Sequence, residues 1–166
     1  MKKNKKIFYL DFDGVLADSA KECIATSFFA WLKLNENIIN DLSDSKESII
    51  KNALKYRYLV TPPEHYFCLI DLLVDIIYFK KEKIIHHDFE KSFKMKINSE
   101  DIKTLSKFKK IFFLTRKERF SDKPNSQWLA ENPPTEFLKK FKELIRNKDC
   151  ELIIISRKDT KSISIW

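Results

Sequence analysis

Asp11 and Asp13 lie two residues apart, directly after the apolar run Ile7-Phe8-Tyr9-Leu10 and directly before Gly14, the only glycine in 166 residues. Average usage near 7% would supply about a dozen. A single glycine placed after Asp-Phe-Asp marks a backbone shape that a Cβ would oppose. Residues two apart on a strand share a face. Both carboxylates are therefore expected to face one small volume at the C-terminal end of a buried strand, where open α/β sheets place their ligands. Two close carboxylates resist joint ionisation. A hard cation such as Mg²⁺ between them, or a proton kept by one of them, relieves the repulsion. Phosphoryl transfer to a carboxylate uses both devices. One carboxylate attacks phosphorus; the other protonates the leaving oxygen and later deprotonates the hydrolytic water.

The run Asp11-Phe12-Asp13-Gly14-Val15-Leu16-Ala17-Asp18-Ser19 resembles the first motif of the haloacid dehalogenase (HAD) superfamily of phosphohydrolases. Its form is similar to that of members with a helical cap inserted right after the motif. The resemblance implies an α/β fold, a HAD-like Rossmannoid core with a partial parallel sheet and a large α-helical cap after the first strand. It implies a core from residues 1–17 and 131–166 and a cap from 18–130. It assigns Asp11 as nucleophile and Mg²⁺ ligand. Asp13 is assigned as acid/base and, through its carbonyl, as a second Mg²⁺ ligand. The phosphate contacts fall on Ser156, Arg157 and Gly14, and the substrate is a small phosphorylated metabolite.

Several elements must position these residues. Residues 6–11 read as the first strand. A helix over 19–33 follows, with Ile24, Phe28, Trp31 and Leu32 at helical spacing and Asp18 or Ser19 as its cap. A second helix is expected over 43–58, capped by Ser43 and broken at Thr61-Pro62-Pro63. Tyr66 to Phe79 reads as a buried helix, and 99–120 as another. Asn132-Pro133-Pro134 is a strong boundary, after which Thr135 can cap a helix to Asn147. Leu152-Ile153-Ile154-Ile155 reads as a second buried strand that ends at Ser156, and a helix starts near Lys158. In the HAD pattern a strand-end Ser or Thr holds the substrate phosphate, and Ser156, with Arg157 and Lys158 after it, fits. A strand-end serine that caps the next helix is the plainer alternative.

A competing strand, Ile111-Phe112-Phe113-Leu114-Thr115, has the same apolar-then-hydroxyl look. Leu105, Phe108, Phe112 and Thr115 continue a helical stripe from residue 102, so the segment is expected to be helical and Ser156 is preferred over Thr115. Arg57 lies in the cap before the Pro63 break, where a guanidinium could close over a phosphate or carboxylate; a solvated helix-end charge is the alternative. His86 and His87 are adjacent and diverge on either regular structure, which argues against a shared metal.

The net charge is +8, but Lys outnumbers Arg 27 to 5 and the lysines are spread along the chain. No arginine cluster, RNA-binding aromatic motif or zinc-finger spacing accompanies them, so a nucleic-acid partner is not expected. Cys23, Cys68 and Cys150 match no metal spacing and read as reduced thiols of a cytoplasmic protein. No stretch is expected to enter a membrane.

After Ser156 the HAD pattern requires a lysine and an acidic residue or pair that completes the Mg²⁺ site. Asp159 is the only carboxylate that follows, and Lys158 and Lys161 are the available lysines. The resemblance therefore covers the cap and the first part of the core. The expected function is Mg²⁺-dependent hydrolysis of a phosphomonoester through an aspartyl-phosphate on Asp11. The alternative is a truncated, catalytically inactive HAD-like protein that only binds phosphate or a partner. Self-association through an exposed core edge is expected in either case.

Overall fold

The computed structural model describes residues 6–36, 42, 44–79, 88–121, 129–138, 141, 146, 150–156, 158 and 160–164. The chain is mixed α/β and mostly helical. Strand β1 spans Lys6–Leu10, and helix α1 spans Ala20–Leu34. Helix α2 spans Lys46–Lys55, and a 3₁₀ turn, Arg57–Leu59, follows it. Helices α3 (His65–Ile77), α4 (Phe89–Ser99) and α5 (Ile102–Ser121) come next. Strand β2 spans Cys150–Ile154, and a short helix α6 spans Thr160–Ser164. The chain divides into two compact units, one made of Met1–Glu22 with Lys123–Trp166, the other of Cys23–Asp122.

In the first unit β1 and β2 pair in parallel, with Lys6 opposite Cys150 and Leu10 opposite Ile154. The Ile155 N–H extends the ladder to the Leu10 carbonyl at 2.8 Å. Among the described residues the sheet has these two strands only. Phe8 is half-buried and sets its ring edge-on to Phe141, with 6.3 Å between centroids. Ile7 and Tyr9, on the opposite face, are 49% and 62% exposed. Ile154 and Ile155 are exposed as well. This corrects the expectation of two buried strands: the apolar run is real, but every residue of β1 and β2 is half-buried or exposed. The local core is correspondingly small. Phe12, Leu16 and Ala17 are buried at its centre, against Leu10, Leu138 and Ile163.

The second unit holds the larger core. Ile24, Phe28 and Trp31 of α1 belong to one apolar cluster with α3 residues Phe67 to Ile70 and Leu72 to Val74, and with Phe89, Phe93, Phe108 and Phe112. Segment 111–116 lies inside the unbroken α5, because Phe108, Phe112 and Thr115 repeat at helical spacing and are all buried. Helix α2 is shorter than 43–58, and Ser43 lies outside the described residues. The hydrophobic alternation of 89–99 is weak, with Phe89 and Phe93 its only buried positions, and this helix has no counterpart among the expected elements. A polar seam crosses the unit. The Trp31 indole N–H donates to Asp71 Oδ1 at 3.0 Å, and Lys96 pairs with Asp71 and with Glu100.

Candidate active site

Four short segments of the first unit converge on the end of β1. The loop after β1 closes on itself. The N–H groups of Leu16 and Ala17 both donate to the Phe12 carbonyl at 3.0 Å, and Gly14 N–H donates to Ala17 O at 2.7 Å. Gly14 has φ +79, the left-handed region that disfavours a Cβ. The single glycine therefore sits where the backbone requires it. The same loop is bound by segment 132–135. Asp18 N–H donates to Pro133 O at 2.8 Å, and Thr135 N–H donates to Leu16 O at 3.0 Å. The Thr135 hydroxyl donates to Val15 O and accepts the Leu138 N–H at 3.4 Å, as a helix N-cap does. At the start of α1 the Ala20 N–H donates to Asp18 Oδ1 at 3.1 Å, so Asp18 takes the capping role.

Asp11 leaves β1 exposed, and its Oδ1 accepts the Phe12 N–H at 2.7 Å. Asp13 is half-buried in the Gly14 loop. The group that meets Asp13 is Lys158. Its Nζ lies 3.0 Å from Asp13 Oδ1 and donates to Asn132 Oδ1 at 3.2 Å. Glu22 Oε2 lies 3.6 Å from the same nitrogen. The Lys158 and Glu22 side chains are fully buried, whereas that of Asp13 is 37% exposed. The ammonium also lies 5.3 Å from the centroid of the Phe12 ring, within cation–π range. Two carboxylates, an amide oxygen and an aromatic face thus surround one buried cation, the kind of compensation that a buried charge needs.

Ser156 follows β2 by two residues, next to the strand that ends at Leu10. Its Oγ accepts the Lys158 N–H at 3.1 Å. The turn from Ser156 to Lys158 is therefore fixed by the serine, and the lysine side chain then reaches Asp13. Thr115, the rival for the Ser156 position, is buried in α5 of the other unit. Arg57 also belongs to that unit. It donates to Val60 O at 3.0 Å and lies over the Tyr66 ring at 5.2 Å, two contacts that finish the 3₁₀ turn. Arg157 and Asp159 lie outside the described residues, as do His86 and His87.

Sequence reasoning passed over Glu22 and Asn132. Asn132 reads as part of a proline-rich boundary, and Glu22 as an ordinary helical carboxylate. One signal was available: the polar residues Ser19, Glu22 and Thr26 recur at three- and four-residue spacing, and all three are buried.

Among the described residues no group of three or more His, Cys, Asp or Glu side chains converges to hold a metal. Asp11 and Asp13 offer hard oxygen donors, which suits a Mg²⁺ that takes its other ligands from water and a substrate phosphate. They do not form a dedicated cage. No helix among the described residues is long and apolar enough to cross a membrane. No protein-family model, curated protein or solved structure matches the chain.

Proposed function

We propose that this chain is a HAD-like hydrolase that cleaves small phosphomonoesters through an aspartyl-phosphate on Asp11. In this reading the first unit is the catalytic part of a Rossmannoid core and Cys23–Asp122 is its helical cap. The observation that carries the reading is the fixation of Asp13 by Lys158 at 3.0 Å, in the loop that directly follows Asp11. One carboxylate is then exposed and able to attack, and a second is held in a defined place beside it.

An Asp11 oxygen forms a bond to phosphorus as the bond to the leaving oxygen breaks. Asp13, in its protonated form, gives that oxygen a proton, while Glu22 and Asn132 remain as partners of Lys158. Asp13 then takes a proton from a water that attacks the acyl phosphate, which releases inorganic phosphate and restores Asp11. The Ser156 hydroxyl can donate to a phosphate oxygen while its Oγ still accepts from Lys158, because a hydroxyl does both. The Asp11 carboxylate and the Asp13 carbonyl would hold a Mg²⁺, whose charge would reduce the repulsion between carboxylate and phosphate.

Aryl phosphate turnover with and without Mg²⁺ tests the reading. The wild type should turn over in Mg²⁺, and Asp11→Asn should abolish turnover, since an amide does not replace the carboxylate nucleophile. A second reading, phosphate binding without turnover, is favoured by the small number of converging carboxylates. It predicts that inorganic phosphate binds to a chain that is inert towards aryl phosphate.

A further inference from the structure

We infer that Glu22 is a positioning residue, which holds the buried Lys158 ammonium so that it is presented to Asp13. This rests on the reading of Asp13 as the acid/base group. Three observations carry it. The Glu22 and Lys158 side chains are both fully buried, with Oε2 and Nζ 3.6 Å apart. Lys158 Nζ is closer to Asp13, at 3.0 Å, and to Asn132, at 3.2 Å. Asp13 is the one member of the cluster open to solvent, with 37% of its side chain exposed.

The geometry separates the roles. Lys158 is fully buried, so it acts on a ligand only through Asp13. An ammonium out of water needs compensating charge or strong hydrogen bonds. Asp13 alone is a poor source, because it faces solvent and would be drawn to a substrate. Asn132 contributes a neutral acceptor. Glu22 supplies buried negative charge from the first turn of α1, a rigid element. It keeps the lysine in place when Asp13 exchanges partners during the reaction.

The test uses the full chain with Glu22→Gln and Glu22→Asp. The first readout needs no turnover: acylation of Lys158 by an amine-reactive ester, followed by mass spectrometry of its peptide. A buried, paired ammonium is protected, so Glu22→Gln should raise the rate about tenfold or more through more frequent local opening, and Glu22→Asp should restore part of the protection. The second readout is aryl phosphate kinetics. Glu22→Gln should lower kcat about tenfold or more with KM little changed, and Glu22→Asp should recover part of kcat. Wild-type protection of Lys158 in a folded Glu22→Gln variant would overturn the inference. So would a change in KM with kcat intact. If the wild type is inert towards aryl phosphate while the acylation pattern holds, the phosphohydrolase reading falls and the Glu22–Lys158 placement stands. If Glu22→Gln does not fold, the double variant Glu22→Gln/Lys158→Met decides. It should fold if the uncompensated lysine is what unfolds the single variant, and its failure to fold would overturn the inference.

Discussion

Lys158 Nζ and Asp13 Oδ1 meet at 3.0 Å across 145 positions of the chain, and the lysine in this pair has no exposed side-chain surface. Such a pair is more costly to break than to replace. Lys158→Met should remove the buried cation from between Asp13 and Glu22 and cost about 3–5 kcal/mol. The first unit has a small core, so that loss should unfold it well below the temperature at which the second unit melts. Tryptic cleavage near β1 and β2, with residues 44–79 still protected, would report this outcome.

Gly14 adopts φ +79, and nothing lies within 4 Å of the place where a Cβ would go. The penalty for a side chain is therefore conformational rather than steric. Gly14→Ala should cost about 1–2 kcal/mol. Gly14→Asn should cost less, because asparagine tolerates the left-handed region better. Urea denaturation of the two variants orders them, and equal stabilities would contradict the backbone argument.

The second unit should lose stability at alkaline pH. Burial, aided by the nearby Glu100 carboxylate, pushes the Cys68 thiol up to about 12 from an ordinary value of 9.0. The folded chain thus keeps a proton that the unfolded chain gives up, and stability falls as pH rises from about 9 towards 12. Burial alone would lower Lys96, but its hydrogen bond and charge pairing with Asp71 and Glu100 outweigh this and raise it. Its contribution is full below 10.5 and is lost as pH rises further. Urea midpoints between pH 8 and 11 should fall, and Cys68→Ala should flatten the earlier part of the decline. The same burial predicts that iodoacetamide at pH 8 leaves Cys68 untouched in the folded chain.

Ile7, Tyr9, Ile154 and Ile155 expose apolar surface on a two-stranded sheet. Such surface favours pairing between molecules. Light scattering after size exclusion should give a mass that rises with concentration. Tyr9→Lys should reduce the rise, because a charge on an exposed strand opposes association. A concentration-independent monomer would set this expectation aside.

Much of this architecture was legible because local rules and tertiary packing agree. The only glycine marked the turn after β1, and its backbone torsion needs a glycine. The Phe108, Phe112 and Thr115 spacing identified α5 in a segment that an apolar run alone would assign to a strand. Thr135 announced its cap from its place after Pro133-Pro134, and its hydroxyl accepts the Leu138 N–H. Other features were hidden for physical reasons. An apolar strand reads as buried by itself, and only the shortage of core helices to cover it signalled exposed surface; which residues stay exposed, Ile7 and Tyr9 among them, was not legible. Helix α4 buries only two residues, too few for a clear period. Lys158 was one of two candidate lysines, but Glu22 and Asn132 come from separate regions of the chain, and the groups that compensate a buried lysine become visible only once the fold brings them together.

The parallel pairing of Lys6 with Cys150 also sets an order of events during synthesis. At about 5–20 residues per second, β1 leaves the ribosome roughly 7–30 s before its partner strand exists. Cys23–Asp122 is continuous in sequence and can collapse during that interval. β1 waits with Phe8, Tyr9 and Leu10 unpaired, and its sheet closes only by joining segments far apart in sequence, a slow kind of contact to form. The nascent chain is therefore vulnerable to aggregation at β1, and a holdase that grips this stretch would act where the topology delays pairing.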